Sequence, residues 1–158
     1  MDDVPALVEK LRQEGQKVEF YMHSLSAAAR MREVYAEGAL WTVRSVLAHL
    51  MSAERAFIHL FREIQKGGDG VGVTFSIDDF NAREQTRNEH LSFEATLNAF
   101  QETRARMIDL VATFTAADLE KKGRHPFLGM TSLREMIKMI YIHDQTHLRD
   151  IRKALGSA

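Results

Sequence analysis

Cysteine is absent from the 158 residues, which excludes a disulfide framework, a thiolate metal site and a cysteine nucleophile. Proline occurs only at Pro5 and Pro126, so little interrupts a helix anywhere along the chain. No apolar stretch approaches the ~20 residues needed to span a bilayer, and no cationic segment followed by an apolar one opens the sequence. Charge of one sign is lacking too: 21 Lys+Arg stand against 22 Asp+Glu, a formal net charge of −1. Such a balance supplies no general field toward polyanions or an anionic membrane surface. A cytoplasmic protein with no nucleic-acid and no membrane partner is therefore expected. Hydrophobic residues at 45% and charged residues at 27% fit a soluble fold, and the length favours one domain over residues 1–158.

Against these absences stand four long helical patterns. The first runs from about Pro5 to Ser26, with Leu7, Val8, Leu11, Val18, Tyr21, Met22 and Leu25 recurring every three or four positions. The second covers roughly Val43 to Lys66, with Thr42 as N-cap, Trp41 placed to close over Val46, and Gly67-Gly68 ending it. The third extends from about Phe93 to Phe114 behind Ser92, and the fourth from Ser132, with Glu135 in capping-box register, to Leu155. At 1.5 Å per residue each is roughly 30 Å long, which predicts an all-α four-helix bundle. Between the second and third patterns the glycine-rich stretch from Gly67 to Phe75 reads as a long crossover, with a short helix over about Ile77 to His90. Its spacing does not fit a phosphate-binding loop.

The segment Ile142-His143-Asp144-Gln145-Thr146-His147 carries the most chemistry. His143 and His147, four apart, share one helix face and can bring two ring nitrogens to one metal ion. Both fall on the predicted inward stripe Leu133, Met136, Ile140, His143, His147, Ile151, Ala154. Burying two imidazoles costs free energy unless their nitrogens find partners, and a cation satisfies both. His49 lies on the edge of the second helix's apolar sector beside Ala53 and Ala56, and can face the pair if these two helices pack together. The competing account is three core histidines satisfied by carbonyls, waters or carboxylates; the joint pattern favours metal. His23, His59, His90 and His125 read as surface or capping residues, and Arg104, Arg106, Arg149 and Arg152 as solvated faces.

Three other chemistries fit less well. His143-Asp144-Gln145-Thr146-His147 is one methylene from the zinc-protease H-E-x-x-H, but only eleven residues follow His147, too few for a downstream third ligand element. A di-iron carboxylate bundle needs two Glu-x-x-His elements and further glutamates. No serine sits in a nucleophile elbow.

Trp41-Thr42-Val43-Arg44-Ser45-Val46-Leu47-Ala48-His49-Leu50 followed by Ala53-Glu54, together with His143-Asp144-Gln145-Thr146-His147 followed by Asp150-Ile151, resembles the two signatures of the DinB/YfiT-like superfamily. The resemblance extends over nearly the whole chain. It implies a bundle of up-down-down-up connectivity, usually dimeric, that binds a divalent ion, zinc or nickel foremost, through His49, His143 and His147. It also implies a small-molecule substrate, since relatives include transferases using low-molecular-weight thiols and a thiol-dependent isomerase. With no cysteine in the chain, such a thiol arrives with the substrate. Asp144, Asp150 and Glu54 are candidates for orienting imidazoles or moving protons. A thiol S-transferase or a hydrolase is the favoured activity; the alternative is a noncatalytic metal-binding or stress-response bundle whose ion is structural.

Overall fold

A computed structural model of the chain describes residues 3–38 and 40–156. Four long helices dominate it: α1 (Val4–Ser24), α3 (Val43–Gln65), α5 (Phe93–Ala112) and α7 (Leu133–Ala154). Shorter α2 (Ala27–Arg30), α4 (Ile77–Asn88) and α6 (Ala116–Glu120) lie between them, with two antiparallel hairpins, β1 (Glu33–Tyr35) with β2 (Trp41–Thr42) and β3 (Lys122–His125) with β4 (Gly129–Ser132).

Side-chain oxygens start every helix. Asp3, Ser26, Thr42, Ser76, Ser92, Thr115 and Ser132 each accept a backbone N–H from the first turn, satisfying donors that the helix itself leaves free. Thr42 forms a reciprocal box with Ser45. At α7, Ser132 accepts from the Glu135 N–H, while the Glu135 carboxylate turns to Lys138 at 3.5 Å. The first helix is shorter than its periodicity suggests because Leu25 adopts an extended conformation and Ser26 caps a new turn, α2.

The buried apolar residues fall into two groups, and these give the helix directions. One group joins Leu7 and Leu11 of α1, Phe61 and Ile64 of α3, Met107 and Val111 of α5, and Leu133 and Met136 of α7. The other joins Val18 and Met22, Val46 and Leu47, Leu97 and Phe100, and Leu148 and Ile151. The start of α1 and of α7 thus meets the end of α3 and of α5, so the chain runs up, down, down, up. α3 packs on α5 and α7, and α1 packs on α5 and α7. The crossover through α4 is what lets α3 and α5 run side by side in one direction.

Both hairpins lean on α7. The glycine-rich crossover is tied to the second of them at Gly70, whose φ is 92°. Arg124 donates its backbone N–H to Asp69 at 2.7 Å and accepts from Val71 at 2.9 Å. A Cβ on Gly70 would stand 2.2 Å from the Arg124 nitrogen, so only glycine fits there. Among the described residues no helix is long and apolar enough to cross a membrane.

Candidate metal centre

α3 and α7 bring His49, His143 and His147 together. The Nε2 atoms of His49 and His143 are 3.0 Å apart, and those of His143 and His147 are 2.9 Å apart. One ligand atom from each ring lies within 4.8 Å of the others. Two nitrogens bound at about 2.0–2.1 Å to a common ion stand roughly 3 Å apart, so the spacing suits a shared cation. The rings meet edge to face, with centroids 4.8 Å apart for His49 and His143 and 4.5 Å for His143 and His147.

Neighbouring side chains bias where the protons sit. Tyr35, at the end of β1, donates its hydroxyl proton to Asp150 at 2.5 Å, and its oxygen lies 2.9 Å from His147 Nδ1. With the hydroxyl proton given to Asp150, the oxygen accepts from Nδ1–H, which leaves the His147 Nε2 lone pair facing the other rings. Burial and the Asp150 carboxylate hold the Tyr35 hydroxyl well above its ordinary pKa, so it remains a donor. Asn81 of α4 stands beside His49 in the wall of a cavity and favours its protonated form. α4 is fixed there by Gln85, which donates to the Ser45 carbonyl at 2.8 Å, and by Arg44, which donates to the Asn88 carbonyl at 3.0 Å. Trp41 covers His49 at a centroid distance of 4.9 Å. All three imidazoles are held below their ordinary pKa, chiefly by burial; in His49 the two partner rings add to it, and in His143 the His147 ring does. Neutral rings with Nε2 atoms this close offer lone pairs that one cation can share. The donor set fits a divalent ion with imidazole preference.

The predicted inward stripe of α7 needs correction. Asp144 and Leu148 are buried, whereas His143 and His147 sit half-exposed on the flank that faces α3. An aspartate points inward because a cation awaits it. Arg104 of α5, expected on a solvated face, is 3% exposed and donates to Glu54 at 2.7 and 2.8 Å, to Asp144 at 2.5 Å and to the Leu11 carbonyl at 2.9 Å. Burial raises the Asp144 carboxyl pKa against the pull of Arg104. Asp144 and Glu54 are therefore engaged by a guanidinium, while Asp150 reaches His147 through Tyr35. Tyr35, Asn81 and Arg104 escaped the sequence reading because no periodicity or short motif marks them.

Beside the triad lies a cavity of about 460 Å³ whose lining includes His49, His143, Phe57, Phe80, Asn81 and His125. His125, expected as a surface or capping residue, is 5% exposed, stacks on Phe57 at 5.1 Å and 13°, and does cap: its Nδ1 accepts the backbone N–H groups of Phe127 and Leu128, each at 3.0 Å.

The sequence profile of the DinB superfamily matches residues 7–151. The chain belongs to this superfamily. No curated protein matches it. Solved structures share the fold at low identity. The mycothiol-dependent maleylpyruvate isomerase is 14% identical with a TM-score of 0.78, covering 95% of this chain and 61% of its own. This DinB-superfamily chain thus spans about 61% of the isomerase's length. YfiT from Bacillus subtilis, described as a probable metal-dependent hydrolase with an unusual four-helix bundle topology, is 15% identical with a TM-score of 0.77, covering 98% and 89%. The colibactin self-resistance protein ClbS, solved in complex with dsDNA, is 13% identical with a TM-score of 0.78, covering 98% and 96%. That complex corrects the expectation of no nucleic-acid partner. Near-zero net charge reports an average over the surface, and a fold of this kind is seen holding duplex DNA.

Proposed function

We propose that this protein is a metal-dependent enzyme acting on a small molecule, with His49, His143 and His147 as ligands of a divalent ion, zinc or nickel. The reaction we infer is transfer to or from a low-molecular-weight thiol, or hydrolysis. The observation that carries this reading is the convergence of three Nε2 atoms beside a cavity of about 460 Å³, with two of the three rings in its wall. Three protein ligands are the pattern of a catalytic site with a position open, whereas a structural site is closed by four. When bound, the ion supplies Lewis acidity that lowers the pKa of a thiol or of water.

The chain's own residues do the rest. Tyr35, backed by Asp150, holds His147 in one tautomer and orientation, and Asn81 stands beside His49 in the cavity wall. Trp41 shields the His49 ring. The absence of cysteine requires that any reacting thiol come from a substrate. Glu54 and Asp144, bound to Arg104, act as positioning residues between helices. Homodimeric assembly belongs to the same reading and is carried by the family resemblance.

The test is turnover by zinc- or nickel-loaded protein. An aryl halide is offered with a low-molecular-weight thiol, an activated ester without one, and His143→Ala is run in parallel. Thiol-dependent turnover lost in H143A supports transfer, and thiol-independent ester cleavage lost in H143A supports hydrolysis. Wild type no faster than H143A in both assays contradicts catalysis and favours an ion that only ties α3 to α7. Duplex DNA belongs in the accompanying binding assays because of the ClbS complex.

A further inference from the structure

The cavity beside the triad is selective in what it lacks. No lysine and no arginine lines it, and its two carboxylates, Glu54 and Asp144, are already bound by Arg104. Phe57, Phe75, Phe80 and Phe127 make much of the wall. A charged substrate body would lose its hydration there and meet no counter-charge in that wall, whereas an apolar body gains from burial. One wall residue is polar and has a bond to spare. His125 accepts two backbone N–H groups on Nδ1, so that nitrogen keeps its lone pair and the proton sits on Nε2. Nε2–H has no acceptor among the described residues, although the side chain is 5% exposed and its ring belongs to the cavity wall. A donor presented to an apolar cavity favours an entering group that can accept from it over one that cannot. Stacking on Phe57 at 13° and the two turn bonds fix the ring's direction. Burial lowers the His125 pKa to about 4, so the donor is uncharged at neutral pH.

We propose that this cavity takes a neutral, largely apolar small molecule bearing a carbonyl-type oxygen, and that His125 Nε2–H is the donor that positions this oxygen. The proposal rests on the reading of the triad as a metal site serving a small-molecule reaction, and it supplies the substrate class.

Ligand-observed fluorine NMR tests it with matched probes, 4-fluoroacetophenone and 1-ethyl-4-fluorobenzene on zinc-loaded protein and 4-fluorobenzoate against the ketone on metal-free protein, where no ion can ligate the carboxylate, with zinc content measured on each sample. The ketone is expected to bind about tenfold tighter than the hydrocarbon, the effect of one net hydrogen bond, and on metal-free protein the benzoate is expected to bind more weakly than the ketone. His125→Asn keeps an acceptor where Nδ1 stands but has no donor at Nε2, and should erase the ketone's advantage with zinc content unchanged. His125→Gln, which keeps the reach of the donor, should retain the advantage while lowering the melting temperature through the lost turn cap; it serves also if H125N fails to fold. Equal affinity for ketone and hydrocarbon in wild type, a full advantage in H125N, or benzoate binding metal-free protein as tightly as the ketone overturns the proposal. If zinc does not bind while the ketone's advantage and its loss in H125N persist, the triad reading fails and the cavity assignment stands. One zinc per chain without a ketone advantage gives the reverse.

Discussion

Tyr35 shows how much of this site depends on single atoms outside the motif. Its hydroxyl donates to Asp150 and its oxygen serves His147 Nδ1, so one oxygen sets both the orientation and the tautomer of a proposed ligand. Tyr35→Phe leaves His147 without that acceptor and Asp150 without its donor. Partners of this kind are worth about 10–100-fold in metal affinity, and a loss in that range is expected for Y35F by competition with a chelating dye, with the helical circular dichroism unchanged. Unaltered affinity would show that Tyr35 does not orient the ring. Arg104 makes the complementary point for stability. Removing it in Arg104→Met leaves Glu54 and Asp144 buried without their shared cation, at a cost of about 3–5 kcal/mol, measurable by urea denaturation. Adding Glu54→Gln and Asp144→Asn to R104M should recover part of that loss, because no net charge then stays buried.

At the scale of elements, the crossover and the β3–β4 hairpin act as one support for the cavity. Gly70 sits against Arg124, and the strand continues to His125. Gly70→Ala forces a side chain into φ of 92° and into the Arg124 backbone. A loss of roughly 1–3 kcal/mol is expected, with hydrogen exchange speeding first in residues 122–132; uniform exchange across the bundle would contradict this local coupling. The long helices were legible because Leu7, Leu11 and Val18, or Val46, Leu47 and Leu50, repeat at helical spacing and Ser or Thr caps stand before them. The hairpins were not, since strands of two to four residues are too short to show alternation. His49, His143 and His147 could be singled out from spacing and helix face. Arg104 could not: its burial depends on Leu11, Glu54 and Asp144, which three other helices bring to it. His125 was similarly hidden, because its turn cap is local but its burial arises from Phe57 far along the chain.

For the whole molecule, two apolar halves are separated by the Glu54–Arg104–Asp144 layer, and the triad sits at the flank of α3 and α7 next to the cavity. Neutral buried imidazole makes this arrangement sensitive to acid. His125 is lowered from 6.5 to about 4 by burial, so as pH falls the unfolded chain takes up a proton there before the folded one does. Its contribution to stability is present above pH 6.5 and is lost as pH falls through about 4. Metal-free protein should therefore melt at progressively lower temperature across that window, and H125N should show a shallower decline; an equal slope would remove His125 from the effect. The central claim, that three imidazoles share one ion, is tested most directly by metal stoichiometry. Elemental analysis of zinc-equilibrated wild type and of the His49→Ala, His143→Ala and His147→Ala variants, each folded by circular dichroism, should give one ion per chain in wild type and substoichiometric metal in all three variants. Wild-type protein without bound metal, or any one variant retaining a full equivalent, would contradict it.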